Sequence, residues 1–420
     1  MQTLLSLSVA LFAGLMLSRL AKIAKLPAVT AYLVAGILVG PYFIGAFGFE
    51  GFGFISMEDV DKYSIISDVA LGFIAFSIGN EFRLAQLKKT GKQATVIGIF
   101  QAVFTTLLVD AVLIGAHFAM PDKLPLPAAI VLGAVASATA PAATLMVVRQ
   151  YKAKGPLTDI LLPIVALDDA VGLVVFAISF GIAKALISGH IDILSVVVEP
   201  ILEVVLSLLL GLVMGLFFTF FEKFFHSKSK RLSMSVTFVF LTVALSMIKF
   251  EIFGVHVAFS SLLVCMMLGT VFCNICDFSE ELMDRVDRWT APLFILFFVI
   301  SGAELELSVF KDFAIVAIGL IYILARSLGK YCGAYTSAKA VKCEKNIVKY
   351  LGITLLPQAG VALGMAIKAE QLGAEGAIVA NITLFGVLIY ELVGPMLTKI
   401  SLLKAGEIKP EGKTSARTKV

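Results

Sequence analysis

The chain has 420 residues, 59% of them hydrophobic and 15% charged, with a net charge of +4 and a mean hydropathy of +0.97. A soluble domain is about 45–50% apolar and about 25% charged, so this composition excludes a soluble globular protein and leaves no separate soluble domain. It reads as an all-α polytopic membrane protein in contact with lipid, and so small a net charge gives no reason to expect a nucleic-acid partner.

A helix needs roughly 20 apolar residues to cross the hydrocarbon. By that measure about thirteen spans are predicted, centred near residues 12, 36, 72, 105, 136, 172, 207, 240, 263, 297, 320, 358 and 387. The N-terminus has neither a basic leader nor a small-residue cleavage site, so no cleavable signal is expected. The division after Lys249 and the short span near 297 are the least sharply drawn. Basic residues collect after spans 1, 3, 5, 7 and 11 (Arg19, Lys22 and Lys25; Arg83 to Lys92; Arg149 to Lys154; Lys223 to Arg231; Lys339 to Lys349), whereas Glu50, Glu58, Asp59 and Asp61 follow span 2. The positive-inside rule then predicts a cell-membrane protein with its N-terminus outside and C-terminus cytoplasmic. Residues 277–288 are acid-rich on the cytoplasmic side, but Arg285 and Arg288 keep that loop compatible with the rule.

Span 5 reads AIVLGAVASATAPAATLMVV. Pro141 removes a backbone donor and clashes with the preceding turn, and Ser137, Thr139 and Thr144 place hydroxyls beside the break. Span 6 contains ALDDAVGL, with Asp168 and Asp169 in an otherwise apolar stretch. One charge at a membrane-helix centre costs about 3 kcal/mol even on the lenient insertion scale, so two adjacent carboxylates need a function. Span 11, AIGLIYILARSLGKYCGAY, carries Arg326 and, one turn later, Lys330. Lys330 is expected to snorkel toward the cytoplasmic end. Arg326 lies deeper and needs an acid partner, for which Asp168 is the candidate. Span 12, LGITLLPQAGVALGMA, has a second set of breakers in Pro357, Gln358 and Gly360, and span 13 carries Glu391. Glu391 is expected to be a structural or tuning acid paired with Lys330 or Arg326.

GNEFRLAQLK at 79–88 and GAELELSVFK at 302–311 share a pattern at an offset of 223. LVGPYF and MLGTVF, APAAT and LPQAG, and Asp169 and Glu391 fall near the same offset. Five spans, 2 to 6, are thus echoed by spans 9 to 13, with seven spans between copies, which implies opposite orientation in the membrane. Inverted repeats with matched broken helices mark the binding site of secondary transporters. Irregular backbone at membrane depth is tolerated where it is buried or lines a water-filled cavity. The half-helix ends would expose partial charges, which Asp168, Asp169, Arg326, Lys330 and Glu391 are placed to balance. Cys273 and Cys276 form a C-x-x-C without a second ligand pair and read as ordinary small apolar residues rather than a zinc site. His117, His190 and His226 lie near predicted loops, His256 opens span 9, and Glu81 and Glu304 sit at span ends.

The chain resembles the monovalent cation/proton antiporters, the group of bacterial sodium/proton exchangers and potassium-efflux transporters. LPAVTAYLVAGILVGP, SATAPAATLMVV, ALDDAVGL, ARSLGK and LLPQAGVALGMA carry the resemblance, which covers nearly the whole chain. It implies a homodimer built on a scaffold, with a mobile core that moves the ion in an elevator-like motion. On that basis residues 1–92 (helices 1–3) and 229–307 (helices 8–10) form the scaffold, and 93–188 (helices 4–6) and 308–403 (helices 11–13) form the core. Residues 189–228 form the linking helix 7, and 404–420 form a basic cytoplasmic tail. The resemblance makes Asp169 the acid that takes cation or proton and Asp168 the position that is Asp in electrogenic members. It places Arg326 where a Lys is frequent, which puts the usual proton count in doubt. The regulatory nucleotide-binding domain of potassium-efflux relatives is absent from this sequence.

A hard cation wants oxygen ligands, and Asp169, Asp168 and Thr139 with freed backbone carbonyls would supply them to Na⁺ or Li⁺ in exchange for H⁺. The transported Na⁺ and H⁺ are cargo; no cofactor and no enzymatic activity are expected. Potassium/proton exchange is the alternative within the class. An organic-anion symporter suits a tandem acid less well. An intramembrane aspartyl protease needs carboxylates facing each other from two helices, whereas these are adjacent and about 100° apart on one.

Overall fold

The computed structural model describes residues 2–23, 26–49, 51–80, 82–188, 199–248, 250–252, 255–257, 259–305 and 312–408. Lys25, Glu50, Glu81, His190 and the tail bases Lys409, Lys413, Arg417 and Lys419 lie outside the described residues, as do the side chains of Lys88, Lys89 and His256. Helices account for nearly all of it: α1 Gln2–Ile23, α2 Ala28–Val39, α3 Met57–Asp61, α4 Ser64–Asn80, α5 Leu84–Ala119, α6 Leu126–Val135, α7 Pro141–Tyr151 and α8 Pro156–Ser188. They continue with α9 Glu199–Glu222, α10 Lys228–Ser246, α11 Ser261–Ile275, α12 Ser279–Ala303, α13 Phe313–Ala340, α14 Lys345–Thr354, α15 Gly360–Ala369 and α16 Ala374–Lys404.

Among the described residues, α1, α8, α9, α12, α13, α16 and the Gly91–Ala119 part of α5 are long and apolar enough to cross a membrane, while α2, α4, α6 and α11 are shorter apolar helices. Each apolar centre read from the sequence falls in a helix or, at 136 and 358, between two half-helices. Among the described residues, strand pairing occurs after Lys249, where Phe250–Ile252 (β1) and Val255–Val257 (β2) pair antiparallel with Phe250 opposite Val257. The sequence there alternates apolar and polar residues, a period-two pattern that suits a strand, whereas the division of spans relied on total hydropathy.

Local chemistry sets the ends. Asp312 caps α13 by accepting from the backbone N–H groups of Ala314 and Ile315, and Ser260 caps α11 by accepting from Leu263 N–H, satisfying donors that the first turn leaves open. At Pro141 the preceding residue is pushed out of the helical region, and Ala140 is extended at φ −82°, ψ 103°. The chain then restarts with Pro141 in the first helical turn, where a missing N–H costs nothing.

Two groups of neighbours emerge from the packing. Helix α5 lies against α6, α8 and α13, while α13 packs on α14 and α16, and α16 on α15. Separately, α1 packs on α2, α2 on α12, α12 on α4, and α11 on α4 and α9. The second group uses glycine seams. A Cβ on Gly36 would come 2.0 Å from the Val299 carbonyl oxygen, and one on Gly302 would come 2.2 Å from that of Leu33. Small residues let membrane helices approach closely enough for dense van der Waals packing, since lipid gives no hydrophobic drive between helices.

Candidate ion site

The break between α6 and α7 meets the break between α14 and α15. The Ala140 N–H donates to the Pro357 carbonyl at 2.8 Å, and the Gln358 side-chain amide donates to the Val135 carbonyl at 3.0 Å. Each interrupted segment thus answers backbone groups that the other leaves open, as burial at membrane depth requires. Pro141, Pro357 and Gln358 all stand at this junction, and the Gly360 backbone begins α15.

Two bases from α13 enter the junction, and neither does what the sequence predicts. Arg326 is wholly buried, but its partners are backbone carbonyls rather than Asp168. It donates to Ala136 at 3.0 Å, Leu356 at 2.7 Å and Ala138 at 2.7 Å, and its guanidinium lies 4.4 Å from the Tyr390 ring centroid. These carbonyls belong to the C-terminal ends of α6 and α14 and the segments after them, where helix dipoles concentrate negative partial charge. Lys330 does not snorkel. It is also wholly buried, and its ammonium sits 2.8 Å from Asp168 Oδ2, 2.9 Å from Thr139 Oγ1 and 2.5 Å from the Ser137 carbonyl. The base beside the first aspartate is therefore Lys330, one helical turn beyond the position expected.

Asp168 is saturated. It accepts from the Thr139 hydroxyl at 2.5 Å, from Lys330, and from the Gln101 side-chain amide. Gln101, on α5, also accepts from Lys330 through its carbonyl oxygen at 2.9 Å. Sequence reasoning passed over Gln101, although a lone amide inside the apolar run VIGIFQAVF is the kind of signal that marks a buried polar contact. Thr139 is turned toward Asp168 and Lys330 in this conformation.

Asp169 is the opposite case. It is 1% exposed, and both carboxylate oxygens lack a hydrogen-bond partner. It stands at the wall of a cavity of about 310 Å³ bounded by Leu173 and Phe176 of α8, Ser261 of α11 and Met365 and Lys368 of α15. A separate cavity of about 1080 Å³ lies beside the first half of α8 and is lined by Arg149, Thr158, Asp159 and Asp287. There Arg149 of α7 pairs with Asp287 of α12 at 2.6 Å.

Glu391 is not joined to Lys330 or Arg326, contrary to expectation. It is buried, and its Oε2 has no partner; both bases are committed to the junction of the two breaks. All five cysteines are free. Burial pushes the Cys276 thiol up to about 11, so it is a neutral thiol at ordinary pH, and among the described residues no three His, Cys, Asp or Glu side chains group to hold a metal.

Removal of the Arg326 fork strands three buried carbonyls, each costing about 1–3 kcal/mol when left unsatisfied. Arg326→Gln is expected to lower the thermal unfolding midpoint sharply and to do so more than Arg326→Lys, as read by heating the detergent-solubilised protein before size-exclusion chromatography. An unchanged midpoint would show that the fork does not hold the junction.

Comparisons with known proteins agree on one grouping. The sodium/hydrogen exchanger transmembrane family profile matches residues 7–404. The Na⁺/H⁺ antiporter NhaS4 of Synechocystis sp. (strain ATCC 27184 / PCC 6803 / Kazusa) is 23% identical over 336 residues, covering 78% of this chain and 79% of its own. The structure of the sodium proton antiporter MjNhaP1 from Methanocaldococcus jannaschii at pH 8 superposes with a TM-score of 0.68 at 19% identity, covering 96% of this chain and 99% of that one. The electron-microscopy structure of the same antiporter gives a TM-score of 0.75 at 17% identity, with 96% and 98% covered. These superpositions concern the fold.

Proposed function

We propose a function on one established premise, that the chain belongs to the sodium/hydrogen exchanger family of membrane antiporters: it exchanges Na⁺ (or Li⁺) for H⁺, with Asp169 as the shared site. The observation that carries this reading is the contrast between two adjacent aspartates. Asp168 is locked to Lys330, Thr139 and Gln101, whereas Asp169 is buried with both oxygens unpartnered beside a cavity. A carboxylate in that position holds either a proton or part of a cation's oxygen shell, and competition for one group is exchange. Thr139 and Asp168 would join the shell only if their present bonds rearranged.

The base beside the pair bears on stoichiometry. Arginine keeps its proton under nearly all conditions, while a buried lysine can give its proton up. Lys330 next to Asp168 therefore supports an electrogenic cycle in which the lysine takes part, and it removes the objection raised by an arginine there.

The remaining parts of the reading follow the two packing groups. Helices α5–α8 and α13–α16 act as the moving core, and α1–α4 and α10–α12 act as the scaffold of a homodimer in the cell membrane. Residues 189–228, with α9, link them, and the tail from 404 is cytoplasmic. Counting each broken pair as one crossing gives thirteen spans with the N-terminus outside. The matched breaks at Pro141 and Pro357 support the inverted repeat of five spans. In that topology the cavity at Asp169 faces outward, and Arg149–Asp287 bridges core and scaffold on the cytoplasmic side, as an elevator-type cycle needs in one of its end states. Potassium/proton exchange is the alternative within the family.

The test is cation-driven collapse of a pH gradient in proteoliposomes, with Na⁺, Li⁺ and K⁺ supplied separately. Activity with Na⁺ or Li⁺ is expected. A response to K⁺ alone would replace this reading with the potassium one, and no response to any of the three would reject both.

A further inference from the structure

Arg149 and Lys368 hold matching places in the two broken spans. Arg149 stands in the last turn of α7 (Pro141–Tyr151) and Lys368 in the last turn of α15 (Gly360–Ala369), each eight residues past the residue that opens its half-helix. Both half-helices start at the junction, so the two bases mark their far ends. Helix α8 shows that these ends lie apart. Arg149 lines the cavity beside its first half, with Thr158, Asp159 and Leu162. Lys368 lines the cavity beside its middle, with Asp169, Leu173 and Phe176. At 1.5 Å of rise per residue, these two stretches of α8 are centred roughly 20 Å apart.

A base at the end of a helix meets negative partial charge there, which accounts for either residue by itself. It does not account for what each one faces. Arg149 meets Asp287 of α12 at 2.6 Å. Lys368 shares its cavity with Glu203 of α9. Helices α7 and α15 both pack on α8 and α16, so the two bases belong to one packing group. Their acids belong to the other: α12 packs on α2 and α4, and α9 packs along α11. One turn past Glu203, the Ser207 hydroxyl accepts from the Ser260 N–H at the start of α11 at 2.9 Å, which fixes this part of α9 to the second group.

Among the described residues that line the cavity, Lys368 is the only base, and Glu203 is the only acid from α9 or α11. Asp169 lines it too, but from α8, so it keeps company with Lys368 whichever way the groups are placed. In this conformation Arg149–Asp287 is made and the cavity stands between the walls that carry Lys368 and Glu203. Sliding one group along the other breaks the first pair. Closing the cavity in the same movement brings a lysine to a glutamate, among Leu173, Phe176 and Leu262, where low polarity strengthens their attraction.

We propose that Lys368 and Glu203 are the outer counterpart of Arg149 and Asp287: the two ion pairs form in alternation, and Lys368–Glu203 holds the Asp169 cavity shut. The proposal rests on the two-state motion in the antiport reading above, and not on the identity of the cation. Exchanging one pair for another keeps the end states close in free energy. A ligand moves an equilibrium only by its differential affinity for the two states, so balanced end states suit cargo as small as a proton and a monovalent cation.

The experiment follows the thiol of Ser261→Cys, on the α11 wall of the cavity, in the full-length chain in lipid nanodiscs with choline as the cation. The half-buried Cys332 and Cys343 are replaced by serine. One cationic and one anionic methanethiosulfonate reagent read the rate of thiol modification. A change of access moves both rates the same way, whereas a change of local potential moves them in opposite ways. Arg149→Gln removes the inner pair and is expected to slow both reagents; Asp287→Asn supplies the same background from the other partner. Adding Glu203→Gln or Lys368→Gln should raise both rates by about two- to fivefold, the weight of one partly exposed ion pair. Lys368 is itself exposed, so its neutralisation leaves the fold intact. Swapping the charges, Glu203→Lys with Lys368→Glu, should restore the slow rates. Background substitutions that do not slow modification, rates indifferent to Glu203→Gln and Lys368→Gln, opposite responses of the two reagents, or a charge swap as fast as the single variants would each overturn the proposal. Rates that behave as expected in a chain inactive with Na⁺, Li⁺ and K⁺ would leave the alternating pairs standing while the antiport reading falls.

Discussion

Asp169→Asn is expected to abolish cation-driven pH change while leaving a folded, membrane-inserted protein. The structure explains why function and stability should separate here. Both oxygens of Asp169 are without partners, so the amide replaces a carboxylate without breaking a hydrogen bond, and its own NH2 faces the cavity wall where the carboxylate stood. Asparagine keeps the size of the side chain and removes the charge that proton and cation compete for. Buried unpaired charge is costly, so the variant should melt no lower than the parent. Proteoliposome exchange measured beside a thermal unfolding curve checks both halves. Near-normal exchange would end the role given to Asp169, and a collapsed melting curve would mean that the residue holds the fold.

The neighbouring position should behave in the opposite way. Asp168→Asn or Lys330→Met removes one member of a wholly buried pair, and breaking such a pair from one side costs about 3–5 kcal/mol. The double variant leaves no orphan charge, so its loss should fall short of the summed single losses by roughly 0.5–3 kcal/mol, the range seen for residues in contact. Gln101 touches both partners, and Gln101→Leu in the same background would shrink the coupling further. A double-mutant cycle on unfolding in detergent measures this. Strict additivity would count against the pair, whereas the same cycle run on Asp168 with Arg326 should be additive, since Arg326 answers backbone carbonyls.

The breaks were legible in the sequence because proline's missing N–H and its clash with the previous turn act locally. Yet Pro163, Pro292 and Pro395 sit inside continuous helices, so what marked Pro141 and Pro357 as breaks was their company, hydroxyl residues beside the first and Gln358 and Gly360 beside the second. Asp168 and Asp169 were legible for a related reason, since charge in an apolar span needs an explanation. The assignment of partners was not. Arg326 and Lys330 are four apart, so they share a face of α13 and point at the same junction. Which of them meets Asp168 depends on the depth at which α5 and α8 pass that face, a long-range property with no local signature. The partner of Glu391 was misread for the same reason: an acid inside an apolar span was visible, but both candidate bases are taken up by the junction. The hairpin after Lys249 was missed because a hydropathy window averages away a period of two over so few residues.

The junction of the two breaks has a consequence for how the chain is made. Thr139 bonds to the Leu355 carbonyl across 216 residues, and Asp168 waits for Lys330 across 162. Chains are synthesised N-terminus first, at about 5–20 residues per second, so for many seconds the first broken helix and the two aspartates of α8 stand in the nascent protein without the groups that complete them. The last third of the chain is thus a chaperone for the first, and a product truncated before α14 would retain Arg326 and Lys330 but lack the Pro357 carbonyl that Ala140 needs. Quality control acting on exposed polar backbone within the bilayer would find its substrate at this point in biogenesis.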